Sequence, residues 1–366
     1  MSSKPTILHL GGPIQYNTGL YSTLTTHFTI LQPGPDLLAR GPFLAALQSH
    51  AWGSFAAIMR PWWATGGEMG AWDAELIDQL PASCRVFASA GAGYDWVDVA
   101  RLAQRGILYC NGAAAASEAV ADTALWHIIG VFRNMQWTAS AARANDAAAF
   151  RDAHLHAQFT ARNPAGHTLG IVGLGHIGVR IAAKARAALA VRIVYYDPAP
   201  KAMLAATLAE QDAALGGARR CATLEEMLGA ADCTVVAAPG QAGGRQVLDR
   251  AMIYKMKKGA RLVNIARGSL VDEEAVADAL EEGHLFAVGL DVFEKEPVPN
   301  RRLAAHRQAT LTCHTAGGAL ETAMGFETLA MQNVLAVLTG EEPLTAVNSH
   351  LLTKAQQQQE QQQQQQ

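Results

Sequence analysis

Along the first 110 residues, short apolar runs alternate with stretches in which apolar positions recur every three or four residues. The runs Thr6–Leu10, Thr26–Leu31, Phe55–Met59, Val86–Ala88 and Leu108–Cys110 read as buried strands, and Phe43–Gln48, Ala74–Gln79 and Val97–Gln104 as the helices between them. Such alternation predicts a parallel, doubly wound sheet. Glu118–Gln136 is helical and apolar over more than one stripe, which predicts burial on several sides, as between domains or subunits. A second series starts at Thr168, with strands at Leu169–Val172, Arg192–Tyr196, Thr234–Ala238, Arg261–Ile265 and Phe286–Asp291. Its helices fit Gly178–Leu189, Leu224–Leu228, Asp249–Met256 and Glu273–Glu281, and helical spacing returns at Glu321–Leu338. The fold class is therefore α/β, with two doubly wound parallel-sheet domains. One, of Rossmann type, spans 118–319; the other, flavodoxin-like and discontinuous, joins 1–117 to 320–350. Residues 351–366 are glutamine-rich with no apolar face to bury, and disorder is expected there.

Composition narrows the possibilities. The chain has 366 residues, more than one core usually carries, and half of them are apolar, which excludes a disordered main body. A net charge of −3 gives no electrostatic footprint for nucleic acid or an anionic membrane. Five scattered cysteines without ligand spacing predict free thiols in a reducing, cytoplasmic setting, and neither a disulfide scaffold nor structural zinc. The early apolar stretch Ile7–Leu10 is too brief for a signal peptide, and no run is long enough to span a membrane. His154 and His156 lack a third ligand nearby in sequence, so no metal is expected.

Chemistry enters at Leu169-Gly-Ile-Val-Gly173-Leu-Gly175-His176-Ile177-Gly178, where GxGxxG follows a β-branched strand and opens a helix. Gly173 makes the tight turn, Gly175 admits a pyrophosphate to the backbone, and Gly178 lets helix pack on strand. The helix N-terminus, with His176 and Ile177, offers N–H groups to phosphate. The next strand ends in Asp197, close to the spacing of a ribose-binding carboxylate, which favours NAD(H) and disfavours NADP(H). Three later segments place Ala266-Arg267, Asp291 with Glu296, and His314 just past strand ends, where open α/β sheets bind ligands. Arginine holds a carboxylate bidentately, histidine exchanges a proton with an alkoxide, and a neighbouring glutamate favours the imidazolium.

The segments ARGSLVDEEAV, GLDVFEKEPVP and LTCHTAGG, with GLGHIG upstream, resemble the D-isomer-specific 2-hydroxyacid dehydrogenase family. AGAGYDWVDV, VFRNM and RNPAGHTLGIVGLG look like its fungal branch that includes D-mandelate dehydrogenase. The resemblance implies NAD(H)-dependent interconversion of a 2-oxo acid and its D-2-hydroxy acid, without metal. Benzoylformate, glyoxylate, hydroxypyruvate and 2-ketogluconate are candidate substrates. It implies that Arg267 grips the substrate, His314 is the acid/base and Glu296 its partner. Asp291 lies on the nicotinamide side, Ala92 and Gly93 meet the carboxylate, and Pro239 and Ala266 border the cofactor. Ser117 either bonds a cofactor phosphate or caps the long helix. A homodimer is implied, with Glu118–Gln136 at or near its interface, and closure of a cleft around substrate. Corepressors of the C-terminal-binding type share this fold and triad, using NADH as a signal, and form the competing class. The loop after Pro239 lacks the family's usual threonines, and Cys313 stands where proline is common, as a small buried filler. Trp62 and Trp63, after the third strand, are either an aromatic wall for a bulky 2-oxo acid or ordinary packing.

Overall fold

The structure is a computed structural model that describes residues 4–63, 65–198, 217–240 and 245–352. The chain divides into two compact units: Met1–Ala116 with Ala319–Gln366, and Ser117–Gly318. In unit 1 the apolar runs form strands β1 (Thr6–His9), β2 (Thr29–Leu31), β3 (Ala57–Arg60), β4 (Val86–Ser89) and β5 (Leu108–Cys110). All pairs are parallel, in the order 2-1-3-4-5, the flavodoxin-like arrangement. Helices α1 (Thr18–His27), α2 (Arg40–Gln48), α3 (Ala74–Ile77) and α4 (Val99–Gln104) connect them. One apolar cluster gathers Phe43, Trp72, Phe87 and Tyr109. The other is completed from far along the chain, by Ala330, Met331 and Val334 of the helix Leu320–Thr339 packing with Leu24 and Phe28. From the same helix the buried Glu327 carboxylate accepts the backbone N–H groups of Gln15, Tyr16 and Asn17 at 2.6, 2.9 and 2.9 Å.

Unit 2 follows from helix α5 (Ala113–Arg133) and a helical hairpin, α6 (Met135–Arg143) and α7 (Ala147–Thr160). Its strands are β6 (Thr168–Val172), β7 (Arg192–Tyr196), β8 (Arg219–Arg220), β9 (Cys233–Val236), β10 (Ala260–Asn264), β11 (Leu285–Leu290) and β12 (Ala309–Leu311). The order 12-11-10-9-6-7-8 reverses at β6, which is the topological switch point of a Rossmann sheet. Helices α8 (His176–Leu189), α9 (Leu224–Ala230), α10 (Arg250–Ile253), α11 (Glu273–Glu281) and α12 (Arg301–Ala305) flank this sheet's strands in sequence. Capping chemistry fixes several starts: Asp146, Thr223, Asp249 and Asp272 each accept a backbone N–H three residues on. Among the described residues no helix is long and apolar enough to cross a membrane. The glutamine tail beyond residue 352 and residues 241–244 lie outside the described residues.

Three elements differ from the sequence reading. The expected strand Thr26–Leu31 begins only at Thr29, because Thr25 and Thr26 close α1 with hydroxyl bonds to the Ser22 and Thr23 carbonyls, both at 2.7 Å. The long helix runs over Ala113–Arg133 rather than 118–136. It stops where Asn134 turns left-handed (φ 55°) and donates Nδ2 to the Ala157 carbonyl and the Thr160 hydroxyl. The α6–α7 hairpin gave no strong pattern since α7 buries only Ala153 and Ala157.

Two histidines are fully enclosed, His9 on β1 and His127 on α5, and burial lowers both to about 4. An unfolded chain takes up these protons near pH 6.5, the folded one only near 4. In that window the unfolded state therefore holds more protons, and stability falls as pH falls. Each histidine costs about 2 kcal/mol between pH 6.5 and 5. Denaturant midpoints at pH 7.5 and 5 check this; equal values at both would contradict it.

Candidate active site

Both halves of the candidate site lie in unit 2, at the C-terminal ends of its strands. At the end of β6, Gly173 has φ 90°, and a Cβ there would meet the Ala238 backbone at 2.7 Å. At Gly178 a Cβ would fall 2.2 Å from the Gly173 carbonyl oxygen, so the helix can approach the turn only as glycine. Gly175 is different: nothing stands within 4 Å of its Cβ direction, and it is exposed with His176 at the start of α8. Two glycines are thus consumed by packing, and the third leaves open space at a helix N-terminus, the cradle a pyrophosphate needs. Asp197, one strand over, accepts the Leu174 N–H at 2.7 Å, so its carboxylate is joined to the turn. Arg220 on β8 donates Nη2 to the Asp197 carbonyl at 2.7 Å. Ile177 is half-buried behind the cradle, and Pro239 lies exposed past the end of β9. These residues fit a dinucleotide.

Three adjacent strands, β10, β11 and β12, carry the chemical residues. Arg267 follows β10, in a loop shaped by Asn264, which accepts the Ala266 N–H at 3.1 Å and donates to the Arg267 carbonyl at 2.8 Å. Half-buried Arg267 also donates Nη1 to the Ala266 carbonyl at 2.8 Å. Gly268 lies flush against the neighbouring loop, where a Cβ would fall 1.9 Å from the Phe293 carbonyl carbon. That contact sets the arginine loop beside the 293–296 segment. The buried Glu273 carboxylate, pushed up by burial, pins the segment by accepting the Glu294 N–H at 2.6 Å. Glu296 itself accepts the Phe293 N–H at 3.0 Å and, through Oε2, meets His314 Nδ1 at 2.8 Å.

The structure therefore brings Glu296 and His314 together. A carboxylate can only accept, so Nδ1 carries the hydrogen and Nε2 is left to exchange a proton. The backbone of His314 is left-handed, φ 52°, an unusual state for a non-glycine residue held by its surroundings. Asp291 does the holding. Its carbonyl accepts the His314 N–H at 2.7 Å, and its carboxylate accepts the Thr312 hydroxyl, the Thr315 N–H and the Ala316 N–H at 2.6, 2.9 and 2.9 Å. Asp291 is 0% exposed, and the contacts described for it support the histidine turn. Behind it, His127 Nε2 lies 2.9 Å from the Thr312 hydroxyl. Since that hydroxyl gives its hydrogen to Asp291, the ring donates to it. Nothing in the sequence marks a histidine in an apolar helix as part of this turn.

Two further expectations change. Ser117 does not cap the long helix; it is buried in the second turn of α5, which starts at Ala113. Cys313 is not a buried filler: with Asp291 occupying the inside of the turn, the thiol is exposed. In unit 1, the loop after β4 holds its carbonyls at Ala92 and Gly93 through Asn111 Nδ2 (2.9 Å) and Trp96 Nε1 (3.3 Å). The N–H groups of those two residues find no acceptor among the described residues. Trp62 and Trp63, past the end of β3, have ring centroids 5.9 Å apart, and Trp63 is 47% exposed. His156 pairs with Asp152 on α7, and no cluster of three or more metal-ligating side chains occurs among the described residues.

Residues 125–316 match the family described as D-isomer specific 2-hydroxyacid dehydrogenase, NAD binding domain. Glyoxylate reductase of Thermococcus kodakarensis is 32% identical over 280 residues, 76% of this chain and 81% of that protein. 4-Methyl-2-oxopentanoate reductase A of Aspergillus oryzae is 32% identical over 279 residues, 76% and 79% of the two chains. The holo crystal structure of Rhodotorula graminis D-mandelate dehydrogenase superposes with a TM-score of 0.88 at 38% identity, covering 95% of this chain and 99% of that one. With the glycine cradle and the strand-end residues in one unit, these likenesses place the chain in the D-isomer-specific 2-hydroxyacid dehydrogenase family of NAD-binding oxidoreductases.

Proposed function

We propose that the chain reduces an aromatic 2-oxo acid, with benzoylformate the first candidate, to its D-2-hydroxy acid and catalyses the reverse oxidation, using NAD(H). The observation that carries the reading is the His314–Glu296 pair, on a left-handed histidine anchored by Asp291, in the unit that also holds the cradle. Gly175, His176 and Ile177 would hold the cofactor's pyrophosphate, with Pro239 and Ala266 bordering it and Ser117 a further candidate contact. When bound, NAD(H) supplies the hydride for reduction or takes it up in oxidation. Arg267 orients the substrate by its carboxylate. His314 donates a proton from Nε2 to the developing alkoxide, and Glu296 holds the ring through Nδ1 so that Nε2 faces the substrate oxygen. Ala92 and Gly93 offer backbone N–H groups to the carboxylate. The aromatic preference draws on the likeness to D-mandelate dehydrogenase and on Trp62 and the exposed Trp63, past the end of the strand that precedes this loop. A homodimer is the assembly we infer, with α5 at or near its interface, where Trp126 is 43% exposed. The five free cysteines fit a reducing, cytoplasmic setting.

The test is oxidation of NADH, and separately NADPH, against benzoylformate, phenylpyruvate, glyoxylate, hydroxypyruvate and 2-ketogluconate. Benzoylformate should give the highest kcat/KM, with NADH preferred because Asp197 accepts from the ribose hydroxyls and repels a 2′-phosphate. In Asp197→Ser that repulsion is gone, so the preference should narrow or invert. An unchanged NADH/NADPH ratio in that variant would refute the ribose role; turnover confined to glyoxylate would refute the aromatic substrate.

A further inference from the structure

At the N-terminal ends of β6, β9, β10 and β11, the edge of the sheet opposite the glycine turn, unit 2 holds an open recess of about 400 Å³. Arg162, His167, Lys257, Lys258 and Arg261 line it. Its carboxylate, Asp232, is already committed: it accepts Lys257 Nζ and the Thr168 N–H, both at 2.8 Å. Arg162, Lys258 and Arg261 have no carboxylate partner among the described residues. Three positive charges thus converge around one carboxylate that is already paired with Lys257, in a chain whose net charge is −3.

Arg261 is the decisive group. It is 6% exposed, with its guanidinium carbon 4.3 and 4.8 Å from the ring centroids of Phe132 and Phe286. Nε donates to the Val131 carbonyl at 3.1 Å, and Nη1 reaches the Gly259 carbonyl at 3.5 Å. Ring faces recover part of the cost of enclosing a cation, but an enclosed charge without a directly paired counter-ion remains unfavourable. His167 adds a buried Nδ1 that has no hydrogen-bond partner, its ring edge-on to Phe132 at 5.1 Å. Buried polar atoms in folded proteins are almost always satisfied, and this unsatisfied nitrogen borders the recess.

We propose that this recess binds a small polyanion, a molecule carrying two or more phosphate or carboxylate groups, with Arg261 at its floor and Lys258 and Arg162 at its mouth. The site is separate from the candidate active site. Arg261 is the second residue of β10, near the N-terminal edge of the sheet, and Arg267 lies three residues past its C-terminal end, at the opposite edge. A ligand here leaves both the dinucleotide cradle and Arg267 free.

Isothermal titration of inorganic pyrophosphate, and separately of citrate, into the full chain saturated with NADH at constant ionic strength tests the proposal. One site per chain is expected for at least one of the two probes, and which probe binds distinguishes a phosphate from a carboxylate ligand. Lys258→Glu and Arg162→Glu, both at exposed positions, should each weaken binding at least tenfold while leaving NADH affinity unchanged. Arg261→Met should abolish it; if that variant fails to fold, the two rim variants still decide. Absence of heat with both probes in the parent, or heat that Lys258→Glu leaves unaltered, would overturn the site. So would competition by a saturating 2-oxo acid, or binding that appears only with a change in sedimented mass, which would assign the recess to a second copy.

Discussion

His314→Ala lowers kcat by about 10²–10⁴ in both directions, the usual worth of a positioned general acid or base, and leaves NADH binding intact. The side chain is half exposed and donates only to Glu296, so its removal leaves no buried group stranded and the thermal midpoint should move little. Loss of rate without loss of fold is the signature to look for. Single-turnover reduction of benzoylformate, compared with NADH fluorescence on binding, separates the two. A variant that reduces every 2-oxo acid at the parent rate would show that the proton comes from elsewhere.

Arg267→Met should cost roughly 2–5 kcal/mol in kcat/KM, about 30- to 5,000-fold, the range seen when one partner of a hydrogen-bonded charge pair is truncated. Most of that loss should enter through KM, since the carboxylate is present in substrate and transition state alike. Arg267→Lys is the sharper probe: it keeps the charge and loses the planar fork, so it should recover only part of the loss. Because the loop is built by Asn264 and Gly268 rather than by the guanidinium, its shape should survive either change. If Arg267→Met kept the parent KM for every 2-oxo acid, the guanidinium would not be the carboxylate's partner.

Much of this arrangement could be read from the chain, for reasons that differ by residue. The strands of unit 2 are enclosed on both faces, so they stand out as unbroken apolar runs, and residues just past them were legible as strand-end groups. The glycine fingerprint was legible because each glycine answers a separate steric demand: Gly178 excludes a Cβ outright, whereas Gly175 faces open space. Asp291 was legible as a position, but its support of the histidine turn was not. Only the fold shows that its carboxylate turns inward to three donors on the histidine turn. His127 lies 185 residues before Thr312, and an apolar helix gives no local sign of which histidine reaches a distant strand end. Cys313 was misread for the same reason: which side of a turn faces inward depends on what fills the inside. The recess around Arg261 was not legible, since its lining comes from four separate segments, 159–167, 232, 257–261 and 286.

The carboxylate of Glu327, clasping residues 15–17, carries a consequence for biosynthesis. A ribosome delivers the first five strands early but withholds the helix that roofs one side of them until Ser117–Gly318 have been made. At ~5–20 residues per second that delay is on the order of 10–40 s. During that interval the nascent sheet has one uncovered oily side, and the later-made unit can mature before the earlier one is sealed. The amino-terminal third of the chain is thus the stretch most in need of a holdase while translation continues.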